Sequence, residues 1–202
     1  HPILGFPEQG GPFAIRTSPI QFGQVYPDRF EDPATGGYSS LKAGATFTSL
    51  DQVPLAEGST TSLLEYPARA GFEDLVLFAA KDENFAWTAV TFDGYAWISL
   101  KNPKQFPSTL FWISNGGRHY APWNGRHRRR LGIEDVCSYF HEGVDFRQYV
   151  RQHETLVWTS ATPSGGSLVT GGDPVSIVFT LCLYCVLLCV VVFFLLFFLL
   201  FF

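Results

Sequence analysis

The sequence predicts a mainly β chain of antiparallel strands, followed by an apolar helix at its C-terminus. Three observations lead there. The body of the chain carries most of its 13 Pro and 19 Gly, and no helical period persists through so many breakers. Runs of β-branched and aromatic residues recur between turn residues, which is the pattern of short strands. Val175 to Phe202 is a 28-residue run without a single charged side chain, longer than the ~20 residues that cross a bilayer as a helix.

In chain order, residues 1–45 are dense in Pro, Gly and aromatics and predict short strands joined by turns and longer loops. Residues 46–66 mix Thr, Ser, Leu and Val around a loop at Ala56–Thr60. The strand signal is clearest from Phe72 to Ser99. Leu75–Ala79 is a short buried run, and residues 80–84 form a polar connection. Phe85–Phe92 and Tyr95–Leu100 flank Asp93-Gly94, a tight-turn dipeptide, and predict a hairpin. Phe111–Ser114 and Leu131–Val136 are further short strands. Trp87, Trp97, Leu75, Leu77, Ile113 and Ile133 are expected to share one sheet interface. Many short strands with little helix point to a sandwich or barrel.

The composition divides the chain into residues 1–144, a β domain; 145–174, a polar and then Ser/Thr/Gly/Pro-rich linker or unrelated segment; and 175–202, the apolar tail. The chain opens at His1 and holds no Met, so a cut or processed N-terminus is expected. No charged n-region followed by an apolar h-region is visible. The tail has two readings. It is a C-terminal membrane anchor, or it is pyrimidine-rich non-coding sequence read in frame, since VVVFFLLFFLLFF lacks the usual positive flank. The expected location is cytoplasmic, or membrane-anchored if the tail is genuine.

A formal net charge of −4 argues against a nucleic-acid partner, which calls for a basic field. Cys137 stands alone in the body, with Cys182, Cys185 and Cys189 in the tail, so a disulfide framework is not expected.

Chemistry-bearing residues concentrate in FPSTLFWISNGGRHYAPWNGRHRRRLGIEDVCSYFHEG, residues 106–143. Aromatic faces pack on the C–H faces of sugar rings, while Arg, His and carboxylates bind hydroxyls. Arg118, His119, Trp123, Arg126 and His127 are the candidate substrate-binding residues, and Gly116-Gly117 allows close backbone approach. The ordinary readings stand beside these. Loop histidines solvate, an Arg run such as 126–130 forms a solvated face, and Trp87, Trp97 and Trp112 belong to a core.

The same segment resembles the C-terminal signature of the aldose 1-epimerase (galactose mutarotase-like) family, with LGIED placing Glu134 where that family carries its catalytic base. The opening HPILGFP resembles a second motif of the family, whose His is the general acid; here that is His1. FEDPATGGYSSLKAGATF and PARAGFEDLVLF also resemble parts of a branch of this superfamily. The resemblance covers about residues 1–143 and implies an incomplete copy of a partial antiparallel β-sandwich of the galactose mutarotase-like supersandwich kind. The family's upstream strands, another His and the final strands have no counterpart here.

What the resemblance implies is interconversion of sugar anomers. A base takes the anomeric hydroxyl proton while an acid protonates the ring oxygen, so no metal or cofactor is required. The partner implied is an aldose or related saccharide. The alternatives are a non-catalytic carbohydrate-binding module and a membrane-tethered interaction protein. In the leading reading Glu134 projects from a strand end into a cleft lined by His1, His119 and an aromatic. Strand alternation puts Ile133 and Asp135 on the opposite face, so one of the two carboxylates enters the cleft while the other meets solvent.

Overall fold

The computed structural model describes residues 2–82 and 84–140. The linker at 145–174 and the expected helix at 175–202 lie outside the described residues. Among those described, no helix is long and apolar enough to cross a membrane.

The described chain forms the strands β1 (Ile3–Gly5), β2 (Phe13–Thr17), β3 (Ile20–Val25), β4 (Thr46–Phe47), β5 (Val53–Pro54), β6 (Thr60–Thr61), β7 (Glu65–Tyr66), β8 (Phe72–Ala80), β9 (Ala86–Phe92), β10 (Tyr95–Lys101), β11 (Ser108–Asn115) and β12 (Arg130–Val136). A single 3-10 turn, Pro33–Thr35, interrupts them; the Asp32 carboxylate caps it by accepting from the Ala34 amide. All strand pairs are antiparallel. Six strands run in the order β1-β12-β11-β8-β3-β4, four in the order β10-β9-β2-β7, and β5 and β6 form a small ribbon. The mainly β, antiparallel expectation is met.

The hairpin forms where its turn chemistry predicts. Phe92 pairs with Tyr95 across Asp93-Gly94, and Gly94 takes the positive φ of 81° that a side chain would resist. The chain passes from one sheet to the other at Ser18-Pro19. There the Ser18 amide donates to the Trp87 carbonyl and the Ser18 hydroxyl accepts from the Trp87 amide, so the corner satisfies its own backbone groups.

Strand alternation gives the six-stranded sheet two different faces. Val25, Val76, Phe78, Phe111, Ile113, Leu131 and Ile133 point inward and share one apolar cluster with Phe13, Ile15, Tyr66, Val90 and Trp97 of the four-stranded sheet. Leu75, Leu77, Ala79 and Leu110 point the other way, into a second cluster with Tyr26, Tyr139 and Phe140. The expectation of one shared interface is therefore corrected in two respects. Leu75 and Leu77 belong to the outer face of their sheet, because β8 is apolar on both sides. Trp87 is half-buried and outside the inner cluster, because it is out of phase with Ala86, Thr88 and Val90, which are the buried residues of β9.

Asp135 is corrected too. It does share a face with Ile133, but that face is interior. Its carboxylate accepts from the Ser99 hydroxyl at 2.7 Å and the Thr109 hydroxyl at 2.8 Å, and it pairs with Lys101 Nζ at 3.3 Å. Lys101 also donates to Thr109 at 2.7 Å. Four polar side chains thus bridge β10 of one sheet to β11 and β12 of the other.

Candidate functional site

The outer face of the six-stranded sheet holds most of the candidate residues. On β12, Glu134 lies opposite Leu110, and Gly132 opposite Trp112. A Cβ placed on Gly132 would meet Glu134 Oε1 and Trp112 Cβ, each at 3.2 Å. The missing side chain lets the Glu134 carboxylate lean over β12 toward the indole. Glu134 is half-buried, and burial pushes its pKa up from the ordinary carboxylate value.

Next to Trp112 on the same face is Glu73, at the start of β8 and fully buried. Three donors hold it. The Ser114 hydroxyl reaches Oε1 at 2.8 Å, Trp112 Nε1 reaches Oε2 at 3.2 Å, and the Gly117 amide reaches Oε1 at 3.3 Å. Burial nonetheless outweighs these donors and the nearby Arg118 charge, and lifts the Glu73 pKa to about 7. The sequence-predicted close approach at Gly116-Gly117 is made here, onto protein backbone. A Cβ on Gly117 would overlap the backbone of Phe72 and Glu73.

The loop after β11 brings the rest. Ser114 Oγ also meets His127 Nδ1 at 2.5 Å. The His127 ring stacks on Trp112, with centroids 5.3 Å apart and planes 18° apart, and tilts against Trp123 at 5.0 Å. Burial first, then the charges of Arg130 and Arg118, lower its pKa. The Arg118 guanidinium is enclosed by the rings of Phe30, Trp112 and Trp123 at 5.3–5.6 Å. Its Nε donates to Glu31 Oε1 at 2.6 Å, and the Tyr120 hydroxyl donates to Glu31 Oε2 at 3.1 Å. Gly37 leaves the room in which the Glu31 carboxylate sits, and it bridges to Arg118 through the backbone.

Of the sequence-predicted residues, Arg118, Trp123 and His127 thus meet in one cluster around Trp112, with Glu134 on the same sheet face. His119 is exposed; its Nε2 donates to the Gly116 carbonyl at 3.1 Å and its ring packs edge-on to Tyr38. Arg126 is exposed, in the turn where its amide bonds the Trp123 carbonyl. The basic run does not converge, because side chains of Arg128, Arg129 and Arg130 bond backbone carbonyls. His1 lies outside the described residues, although the Ile133 amide donates to the Pro2 carbonyl.

Sequence reasoning missed Glu73, Ser114 and Glu31 as members of the site. A signal existed for Glu73. Two adjacent carboxylates open an otherwise apolar strand, and alternation must send them to opposite faces of a sheet that is covered on both. Asp74 is the inward one; its carboxylate accepts from Ser40 and the Leu41 amide.

The buried carboxylate has a measurable consequence. Between the ordinary value of 4.5 and about 7, folded Glu73 keeps a proton that the unfolded chain has released. Its contribution to stability is therefore present at low pH and lost as pH rises through that window, by up to about 3 kcal/mol. Glu73→Gln removes the titration. Urea denaturation at pH 5 and pH 8 should show the variant gaining on the parent by that order; an identical pH dependence would place the Glu73 titration elsewhere.

Among the described residues, no group of three or more His, Cys, Asp or Glu side chains is placed to hold a metal ion. In comparisons with known proteins, no family model, no curated protein and no solved structure matches the chain.

Proposed function

We propose that the outer face of the six-stranded sheet binds a sugar and interconverts its anomers, in the manner of an aldose 1-epimerase, on a partial galactose mutarotase-like sandwich. The observation that carries this reading is the Glu134 carboxylate leaning over Gly132, on the sheet face that also holds Trp112 and its cluster of Trp123, His127 and Arg118. Half-burial raises the Glu134 pKa, which suits a carboxylate that takes a hydroxyl proton and returns it. Trp123 offers an aromatic surface for the apolar face of a pyranose, and His127 Nε2 a polar contact for a hydroxyl. In the reaction Glu134 takes the anomeric hydroxyl proton, the ring C–O bond opens as the ring oxygen is protonated, and reclosure on the other face gives the second anomer. The resemblance of HPILGFP assigns the ring-oxygen proton to His1.

Tryptophan fluorescence titration with D-galactose and D-glucose tests the binding step. A saturable change is expected in the parent. Trp123→Ala should weaken it by about tenfold, the scale of one lost aromatic platform. No saturable change with either sugar, or an affinity untouched by the substitution, contradicts the placement of the sugar.

A further inference from the structure

Ser114 is shared between Glu73 and His127, and the hydroxyl has only one proton to give. An ionised Glu73 can only accept, so the Ser114 proton points to Oε1 at 2.8 Å. The Ser114 oxygen is then left to accept, and His127 Nδ1, 2.5 Å away, must be the nitrogen that carries hydrogen. His127 Nε2 is thereby bare. It makes no hydrogen bond among the described residues and is not a buried orphan, so it faces accessible space as an acceptor. When Glu73 is protonated the chain runs backwards. The carboxyl donates to Ser114, Ser114 donates to Nδ1, and Nε2 takes the hydrogen.

We propose that Glu73, acting through the Ser114 hydroxyl, selects which ring nitrogen of His127 carries the proton, and so whether Nε2 accepts from or donates to a ligand hydroxyl beside Trp123. Glu73 and Ser114 are positioning residues in this scheme. The sugar assignment above underlies only the ligand hydroxyl; the relay itself stands on the ligand-free protein.

The surroundings favour such a switch. The Glu73 carboxyl, fully buried, meets Ser114, Trp112 Nε1 and the Gly117 amide, with the Arg118 charge nearby and the hydroxyls of Tyr66 and Tyr120 within reach of its own charge. His127 faces Ser114, Trp112 and Trp123, with the charges of Arg118 and Arg130 bearing on it. Burial and those charges keep the imidazole neutral to lower pH than usual, whereas Glu73 titrates at about 7. A window just below neutrality then exists in which both groups are neutral and the relay is reversed. The stacked indole of Trp112 fixes the ring plane, so the switch changes hydrogen placement without a ring flip.

Long-range proton–nitrogen correlation NMR on the 15N-labelled full chain reads the tautomer directly. At pH 8 His127 should be protonated on Nδ1, and it should shift to the Nε2 form as pH falls through about 7. His119, whose Nε2 donates to a carbonyl, should show the Nε2 form at pH 8 and serves there as the internal reference. In Ser114→Ala and in Glu73→Gln the His127 step near pH 7 should disappear, with amide spectra showing that each variant is folded. An Nε2 form at pH 8 in the parent overturns the proposal. So does a step that survives in both variants. Sugar binding plays no part in the measurement, so a failed sugar titration and a failed relay remain distinguishable.

Discussion

Glu134→Gln is expected to lower anomer interconversion by about a hundredfold or more while leaving sugar binding intact. The amide keeps the shape of the side chain above Gly132 and removes the base, and general-base catalysis contributes on the order of 10²–10⁴. The substitution also removes the charge that burial disfavours, and urea denaturation of parent and variant checks that both are folded. Rates are then compared between folded proteins. A steady-state rate for α- to β-aldose conversion, set against the fluorescence affinity, separates the two quantities. A loss of affinity with an unchanged rate at saturation would make Glu134 a binding group instead.

The largest stability effect is expected at the neighbouring carboxylate. Asp135→Ala leaves Lys101 buried between the sheets without its partner, and breaking a buried ion pair from one side costs about 3–5 kcal/mol. Burial already lowers the Lys101 pKa to about 8 even though Asp135 acts against it. Without Asp135 the amine falls further, so the pH window in which it is neutral in the folded protein while the unfolded chain still protonates it becomes wider. In that window the unfolded state binds more protons, so the stability of the variant rises with pH, by ~1.4 kcal/mol per unit between the folded and the unfolded lysine values. Urea denaturation at pH 7 and pH 9 measures both numbers. Lys101→Met in the same background should restore part of the loss, because an apolar side chain of similar length replaces the orphaned amine.

The contrast between these two carboxylates shows what was legible in the sequence. Alternation places Glu134 and Asp135 on opposite faces, and that holds. Alternation says nothing about what covers a face, and here the face opposite Glu134 is covered by β10, bringing Ser99 and Lys101. The hairpin at Asp93-Gly94 was readable because its cause is local: a dipeptide suited to positive φ between two strand-forming runs. Leu75 and Leu77 were misassigned because a strand apolar on both faces gives no sign that it serves two clusters. The site divides in the same way. Arg118, Trp123 and His127 lie close in sequence and meet. Glu73 and Glu31 come from 41 and 87 residues away from their partners Ser114 and Arg118, and only the pairing of β8 with β11 and of Gly37 with Arg118 brings them in.

Exchange NMR on D-galactose and D-glucose at anomeric equilibrium addresses the central claim most directly. With the full chain added, cross-peaks between the α and β anomeric protons of at least one sugar should grow at a rate proportional to protein concentration. The same concentration of Glu134→Gln should leave them near the buffer rate. Cross-peaks that stay at the buffer rate at every concentration of the parent, for both sugars, would contradict anomer interconversion at this site; a saturable fluorescence response alongside them would leave a carbohydrate-binding module.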